Sequence, residues 1–481
     1  MSSAPAQLDP RRWRTLAVLA LAQFMVVLDV TIVNVALPDI QADLGFSAEG
    51  LQWIVNAYTL AFGGLLLLGG RTADLLGRRR MFMSGLVLFV GASLAAGLAP
   101  SPEVLIVART VQGVGAALLS PAALALLQVT FPAGRERNAA MGIWGALAGL
   151  GGTLGVIAGG ILVDALGWEW IFFVNLPIGL LVLALAPRLV GESFGTGQRS
   201  FDVAGALLST LGVLAIVYGV IRTSEAGWGS PEVLGLLAGG VALLVAFVSV
   251  ERRTSAPLVP LRLFRSRGLT VSSVALALNG SAFLGMFFLS AIFLQSVRGD
   301  SALEAGIQFV PMGITAIAAA VLGGQAVTRV GTRPVFILGG VLSAVSLFLL
   351  SQATATGSYA AEILPGFLVF GAGMSLVGTA NQIGAVLEVP HEDAGAASGV
   401  ISAGFQIGGA FGLAVITTLA NAHAEDSAAA GVPQALALTD GFERGLLVAG
   451  VIALLNLGLA LTVAPAVVPD EEQLAEAMAM A

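Results

Sequence analysis

Cysteine and lysine are absent from the 481 residues, histidine occurs twice, and charged residues make up only 11%. Each scarcity removes a class of chemistry. Without cysteine there is no disulfide, thiolate zinc site, iron–sulfur cluster or nucleophilic thiol. Without lysine there is no phosphate loop of the GxxxxGK[ST] kind. His391 and His423 fall in expected loops among acidic neighbours, and a lone imidazole lacks co-ligands, so no metal site is expected. A membrane-embedded enzyme would need a nucleophile beside a base, or clustered histidines and carboxylates; neither occurs, so catalytic residues and cofactors are not expected. The shortage of charge also excludes a soluble globular chain, because ordinary domains carry about 25% charged residues.

What is abundant is apolar: 57% hydrophobic residues, 62 glycines and a mean hydropathy of +0.93. Runs of roughly 20 apolar residues recur along the whole length, which identifies an all-α polytopic membrane protein. Fourteen spans are expected at roughly 15–38, 51–70, 82–99, 103–127, 139–164, 168–187, 203–222, 232–250, 269–297, 305–327, 334–352, 361–387, 394–421 and 445–467. The first is too long for the apolar core of a signal peptide and contains Asp29 and Asn34, so it is read as a retained span. All 22 basic residues are arginines. Eighteen fall on one side of the fourteen-span arrangement, Arg222, Arg298 and Arg444 on the other, and Arg109 inside a span. The positive-inside rule then places both termini in the cytoplasm, and the expected location is the cytoplasmic (inner) membrane. The net charge of -7 is split by the bilayer, and no nucleic-acid partner is expected.

GGRTADLLGRR from Gly69 lies on GGQAVTRVGTR from Gly323, matching Gly69, Gly70, Gly77 and Arg79 with Gly323, Gly324, Gly331 and Arg333. Each segment follows the second span of its set and precedes the third, so spans 1 to 6 and 9 to 14 read as two parallel six-helix halves. The expected organisation is a cytoplasmic segment 1–14, a bundle 15–188, a linker with two extra spans 189–268, a bundle 269–467 and an acidic tail 468–481.

Charges inside spans are the most informative residues. Asp29 lies about nine residues before Pro38, taken as the outer end of span 1, or roughly 13 Å deep; Arg109 lies about six residues after Glu103, or roughly 9 Å deep. A buried charge in lipid costs several kcal/mol unless it faces a partner or a wet cavity. The two are therefore expected to be neighbours or to share a cavity. Two readings stay open: a fixed salt bridge, and a carboxylate whose proton affinity changes as the partner moves, which would couple transport to protons. In span 5, Gly142, Gly145, Gly149, Gly152, Gly155 and Gly159 recur every three or four residues and draw a groove for a neighbouring helix. Met25, Asn34, Asn56 and Tyr58 in the first half, and Asn279, Phe283, Phe287, Gln382 and Gln406 in the second, are the candidate walls of a substrate cavity. Methionine and aromatic surface with few fixed hydrogen bonds suits varied lipophilic ligands, although each residue taken singly is more often packing than contact.

Four motifs then carry a resemblance. LDVTIVNVALP from Leu28, GRTADLLGRRR from Gly70, RTVQGVGAA from Arg109 and GGTLGVIAGG from Gly151 together resemble the fourteen-span drug:proton antiporters of the major facilitator superfamily, over nearly the whole chain. WIVNAY from Trp53 and WEWIFFVNLPIG from Trp168 are similar to the same branch. The resemblance implies a major facilitator fold of two pseudo-symmetric six-helix bundles plus two extra helices. It also implies alternating access, a gating role for Gly70, Asp74, Gly77, Arg78 and Arg79, a proton-transfer role for Arg109 with Gln112 and Gly113 in its motif, and an exporter motif containing Gly151, Gly155, Gly159 and Gly160. In the gating role Asp74 would meet a helix N-terminus of the other bundle. Val156 stands where the exporter motif has proline, Glu169 where relatives have arginine, and Thr328 where the repeat would carry the counterpart of Asp74. The expected activity is proton-coupled multidrug efflux by a monomer, energised by the proton gradient. The rival is a dedicated exporter of one endogenous lipid or natural product.

Overall fold

The computed structural model describes residues 10–131, 135–194, 202–254, 257, 259, 261–387 and 394–462. It is helical throughout, with no strand among the described residues. The helices are α1 (Arg12–Leu44), α2 (Ala48–Leu51), α3 (Trp53–Leu76), α4 (Arg78–Gly97), α5 (Pro102–Thr130), α6 (Arg135–Leu166), α7 (Trp170–Phe173), α8 (Asn175–Leu189), α9 (Val203–Ala226), α10 (Pro231–Glu251), α11 (Arg267–Ile292), α12 (Ala302–Val330), α13 (Thr332–Ser351), α14 (Leu364–Leu387), α15 (Ala394–Ala429) and α16 (Gln434–Thr462). Thirteen helical segments are long and apolar enough to cross a membrane. α6, 32 residues long with an apolar stretch at Leu154–Leu166, is the fourteenth long helix.

Local chemistry sets the ends. α12 opens with a capping box in which Ser301 Oγ accepts from Glu304 N at 3.2 Å and Glu304 Oε2 accepts from Ser301 N at 2.9 Å. α10 opens with Ser230 as cap and proline in its first turn. α1 does not stop at Pro38, as expected, but runs six residues further. What ends it is Gly45, whose φ of 71° only glycine adopts freely and whose N–H closes onto Gln41 O at 3.0 Å. The second-half spans were likewise read too short: α15 is 36 residues long and α16 begins at Gln434, because their polar outer turns continue the helix past the apolar run. His423 lies in α15 and is exposed, not in a loop; His391 lies outside the described residues.

The predicted repeat is visible in the backbone. Gly77 (φ 109°) breaks α3 from α4, and its counterpart Gly331 (φ 84°) breaks α12 from α13. Helix pairing repeats as well: α3 and α4 pack on α5 as α12 and α13 pack on α14, and α1 lies along α6 as α11 lies along α15. These are two pseudo-symmetric bundles, α1–α8 and α11–α16. α9 packs on both α3 and α15, at the seam between them, through Val217, Val220 and Ile221 against Leu60, Ala410 and Ala414. α10 packs on α9 and exposes Leu234, Val241 and Val245, an apolar surface suited to lipid.

One set of contacts between the bundles lies at the face with few arginines. There Gln295 Nε2 donates to Val35 O at 2.8 Å, Leu303 N donates to Asp164 Oδ2 at 3.2 Å, and Thr417 Oγ1 donates to Gln52 Oε1 at 2.6 Å. One apolar cluster joins Ile32, Val35, Ala36 and Ile40 of α1 to Phe287, Phe293 and Phe309 of the other bundle. Gly160 meets the backbone of Ala302 and Leu303, and Gly306 meets the Val156 carbonyl, so α6 and α12 touch main chain to main chain. The molecule is closed at this face.

Candidate functional site

Asp29 and Arg109, placed at matching depths by sequence, form an ion pair in the structure. Arg109 NH1 lies 2.5 Å from Asp29 Oδ2, with the side chains 1% and 0% exposed. The guanidinium also donates to Ile54 O and to Gln112 Oε1, both at 2.9 Å, and lies over the Tyr58 ring, 4.4 Å from its centroid. Gly113 makes this possible. A side chain there would run into the Tyr58 carbonyl and come within 2.8 Å of Ala61, so the glycine lets α3 close on α5 and deliver Ile54 O and Tyr58 to the arginine. Paired and hydrogen-bonded, the two charges can remain buried; either alone could not.

Two further members were not among the predicted site residues. Ser93 on α4 and Asn175 at the start of α8 complete the ring: Gln112 Nε2 donates to Asp29 Oδ1 at 3.0 Å and Asn175 Nδ2 at 2.8 Å, and both nitrogens also reach Ser93 Oγ. Asn175 was legible in part, as the asparagine of WEWIFFVNLPIG. Ser93 carried no signal. Nearby, Asn34 bonds back to Val30 O of its own helix at 3.0 Å, and both amide atoms of Asn56 are buried without a hydrogen-bond partner.

The loop motif sits at the arginine-rich face. Asp74 pairs with Arg78 at 2.7 Å, one turn apart. The backbone N–H of Arg79 donates to Glu192 Oε1 at 2.9 Å, that of Arg78 to Ser193 O at 2.9 Å, and Arg79 NH1 to Val190 O at 3.3 Å. The motif is thus fastened to the segment after α8, within its own bundle. Glu192 was not foreseen, because nothing in sequence ties residue 192 to residue 79. The helix N-terminus expected to receive Asp74 cannot be described at α15, whose preceding residues 388–393 lie outside the described set, as does the Thr328 side chain. Gly70 lies on α3 facing Pro121 of α5.

On α6 the glycine groove is real but shifted. Gly151 meets Val27, Gly155 meets Thr31 and Leu28 O, and Gly159 meets Ile32, all on α1; Thr31 Oγ1 donates across to Gly151 O at 3.2 Å. Gly152, counted in the groove by spacing, has no atom within 4 Å of a Cβ built on it and points elsewhere. Gly142, Gly145 and Gly149 lie outside the residues whose side-chain positions are described. Gly160 serves the contact with α12, and α6 runs unbroken through Val156.

The candidate cavity residues divide. Met25 and Tyr58 are buried in the first bundle's core. Phe283 and Phe287 (ring centroids 4.7 Å apart) begin an aromatic chain that sequence did not connect: Phe283 to Phe405 at 6.1 Å, Phe287 to Phe309 at 4.9 Å, and Phe309 to Phe367 at 4.9 Å. Asn279 is buried and reaches Met374 O at 3.5 Å; Gln406 packs where α15 crosses Gly63 of α3; Gln382 is exposed on α14. No group of three or more candidate metal ligands occurs among the described residues.

Comparison with known proteins agrees with this architecture. The chain is 40% identical over 447 residues to the puromycin resistance protein pur8 of Streptomyces alboniger, covering 92% of this chain and 88% of that one. It is 40% identical over 402 residues to the multidrug resistance protein Stp of Mycobacterium tuberculosis, covering 84% and 74%. Its fold is similar to that of an auto-inhibited POT family peptide transporter, with a TM-score of 0.69 at 15% identity over 93% of this chain and 97% of that chain. Two halves with repeated helix pairing, an ion pair buried at membrane depth, and a match to the Major Facilitator Superfamily over residues 19–413 lead to one conclusion: the chain belongs to that superfamily.

Proposed function

We propose that the protein is a proton-coupled antiporter that exports hydrophobic or cationic drugs and toxic compounds across the cytoplasmic membrane by alternating access, as a monomer, with both termini in the cytoplasm. The observation that carries the reading is the buried Asp29–Arg109 pair, a carboxylate shut away from bulk water between α1 and α5. The arginine-rich face is the cytoplasmic one under the positive-inside rule, so the closed face is the outer one and this conformation is shut to the outside. Opening that face separates α1 and α6 from the second bundle and re-wets Asp29, which then takes up a proton; closing it restores the pair and releases the proton inward. No cofactor enters this cycle. Each proton crossing the potential supplies about 2.3 kcal/mol per 100 mV. The division at 189–268 leaves α9 and α10 as an insertion between two transport bundles.

The aromatic chain from Phe283 to Phe367 and the scarcity of fixed polar groups along it favour lipophilic substrates. A dedicated exporter of one natural product is the second reading, supported by a relative named for resistance to a single antibiotic. Breadth separates the two: a multidrug exporter raises the inhibitory concentration of several unrelated compounds in a sensitive host, a dedicated one of a single scaffold.

The mechanism is tested by adding ethidium or puromycin to purified protein in weakly buffered detergent solution. Wild type releases protons on binding, and Asp29→Asn binds without release. Equal release from both would assign coupling to another acid.

A further inference from the structure

The groups around Asp29 have a fixed hydrogen-bond polarity. Ser93 Oγ donates its one hydrogen to Phe89 O at 2.8 Å, one turn back on α4. Toward Gln112 and Asn175 that oxygen can therefore only accept. The atoms facing it must be amide nitrogens: Gln112 Nε2 at 2.7 Å and Asn175 Nδ2 at 3.3 Å. The same two nitrogens donate to Asp29 Oδ1, at 3.0 Å and 2.8 Å. Arg109 donates to Asp29 Oδ2 and, through the same nitrogen, to Gln112 Oε1, which agrees with that orientation of the amide. The three contacts to the carboxylate, from Gln112 Nε2, Asn175 Nδ2 and Arg109 NH1, all bring a hydrogen to it, and none of them offers an acceptor for a hydrogen of its own. Meanwhile Asn175 Oδ1 is buried without a hydrogen-bond partner. A buried acceptor left unsatisfied costs free energy, and here it belongs to the amide that touches Asp29.

Resting on the reading of Asp29 as proton carrier, we propose that Ser93 and Asn175 are positioning residues. They hold Asp29 in its ionised form in this conformation, and the Asn175 amide turns over to present Oδ1 when Asp29 is protonated. In the turned state the proton that arrived from water sits on Asp29 Oδ1 and is donated to Asn175 Oδ1. The Ser93 hydroxyl swings from Phe89 O to the same amide oxygen. No covalent bond other than the carboxyl O–H forms or breaks. The titratable groups that face Asp29 are Arg109 of α5 and Tyr58 of α3, while α4 and α8 present the neutral Ser93 and Asn175. The amide pair is therefore the part of the ring that can change donor for acceptor without moving a charge.

The test uses full-length protein and needs no substrate. Infrared difference spectra over a pH titration follow the protonated carboxyl band that Asp29→Asn removes. In Asn175→Leu, close in shape, and in the milder Ser93→Ala, the band is expected at a different frequency. Its titration midpoint is displaced by about one pH unit in Asn175→Leu, a tenfold change in proton affinity for losing one hydrogen bond to a charged group. Ser93→Thr, which keeps the hydroxyl, restores wild-type behaviour. A band unmoved in both frequency and midpoint in Asn175→Leu and Ser93→Ala would overturn the proposal and leave Asp29 as carrier. The absence of any band that depends on Asp29 in wild type would overturn the carrier reading itself, and this proposal with it.

Discussion

Arg109 is 1% exposed within an apolar bundle, and its charge is tolerable because five groups surround it: Asp29, Gln112, Ile54 O and the rings of Tyr58 and Phe172. Removing it leaves Asp29 as an uncompensated buried charge. Arg109→Ala is therefore expected to lower stability by about 3–5 kcal/mol, read as a lower midpoint of thermal unfolding in detergent. Asp29→Asn keeps an acceptor for the guanidinium and is expected to lose less. Equal melting of Arg109→Ala and wild type would mean that Asp29 is compensated without the arginine, by water or by protonation. The pair was legible in sequence because a charge inside an apolar span is rare and depth follows from the helical rise. Ser93 was not, because a serine in a membrane helix is common and its bearing on Asp29 depends on how α4 is rotated against α5.

At the scale of elements, the α1–α6 contact rests on Gly151, Gly155 and Gly159. A Cβ on Gly155 would meet the Thr31 hydroxyl and lie 3.1 Å from Leu28 O, one residue from Asp29. Gly155→Leu is expected to force α6 away from the helix that carries Asp29, costing about 1–3 kcal/mol and reducing export, whereas Gly152→Leu, with open space beside it, leaves both unchanged. Thermal unfolding and ethidium efflux of the two variants check this, and similar losses in both would place the groove elsewhere. Spacing alone allowed either glycine, since 151 and 152 stand four and three residues before 155 and both intervals keep to one helix face. The choice between them is the rotation of α6 about its axis, which depends on contacts with two other helices.

At the scale of the molecule, Asp164 of α6 accepts from Leu303 N in the first turn of α12, so an acid of one bundle helps cap a helix of the other. Asp164→Ala removes that acceptor and leaves the capping box of Ser301 and Glu304 intact. A loss of about 1 kcal/mol would shift the balance between closed and open states of this arginine-poor face roughly fivefold. The cysteine-free sequence makes the measurement direct: spin labels on cysteines introduced at the exposed Leu166 and Thr356 report the distance across this face. A larger long-distance population is expected in Asp164→Ala, and an unchanged distribution would show that the remaining contacts at this face hold it shut without Asp164.

Composition and the Gly77/Gly331 repeat were enough to read an all-helical membrane protein of two related bundles with fourteen long helices, because burial in lipid forces helices. The same logic of depth put Asp29 beside Arg109. Tertiary structure alone decided the rest. Ser93, Asn175, Glu192 and the aromatic partners Phe309, Phe367 and Phe405 take their roles from helices distant in sequence, and their chemistry is common in any apolar helix. Which face was closed also lay beyond sequence. Both faces are written into one chain, and the bundles' packing, through Gln295, Asp164 and the α6–α12 backbone contact, selects between them.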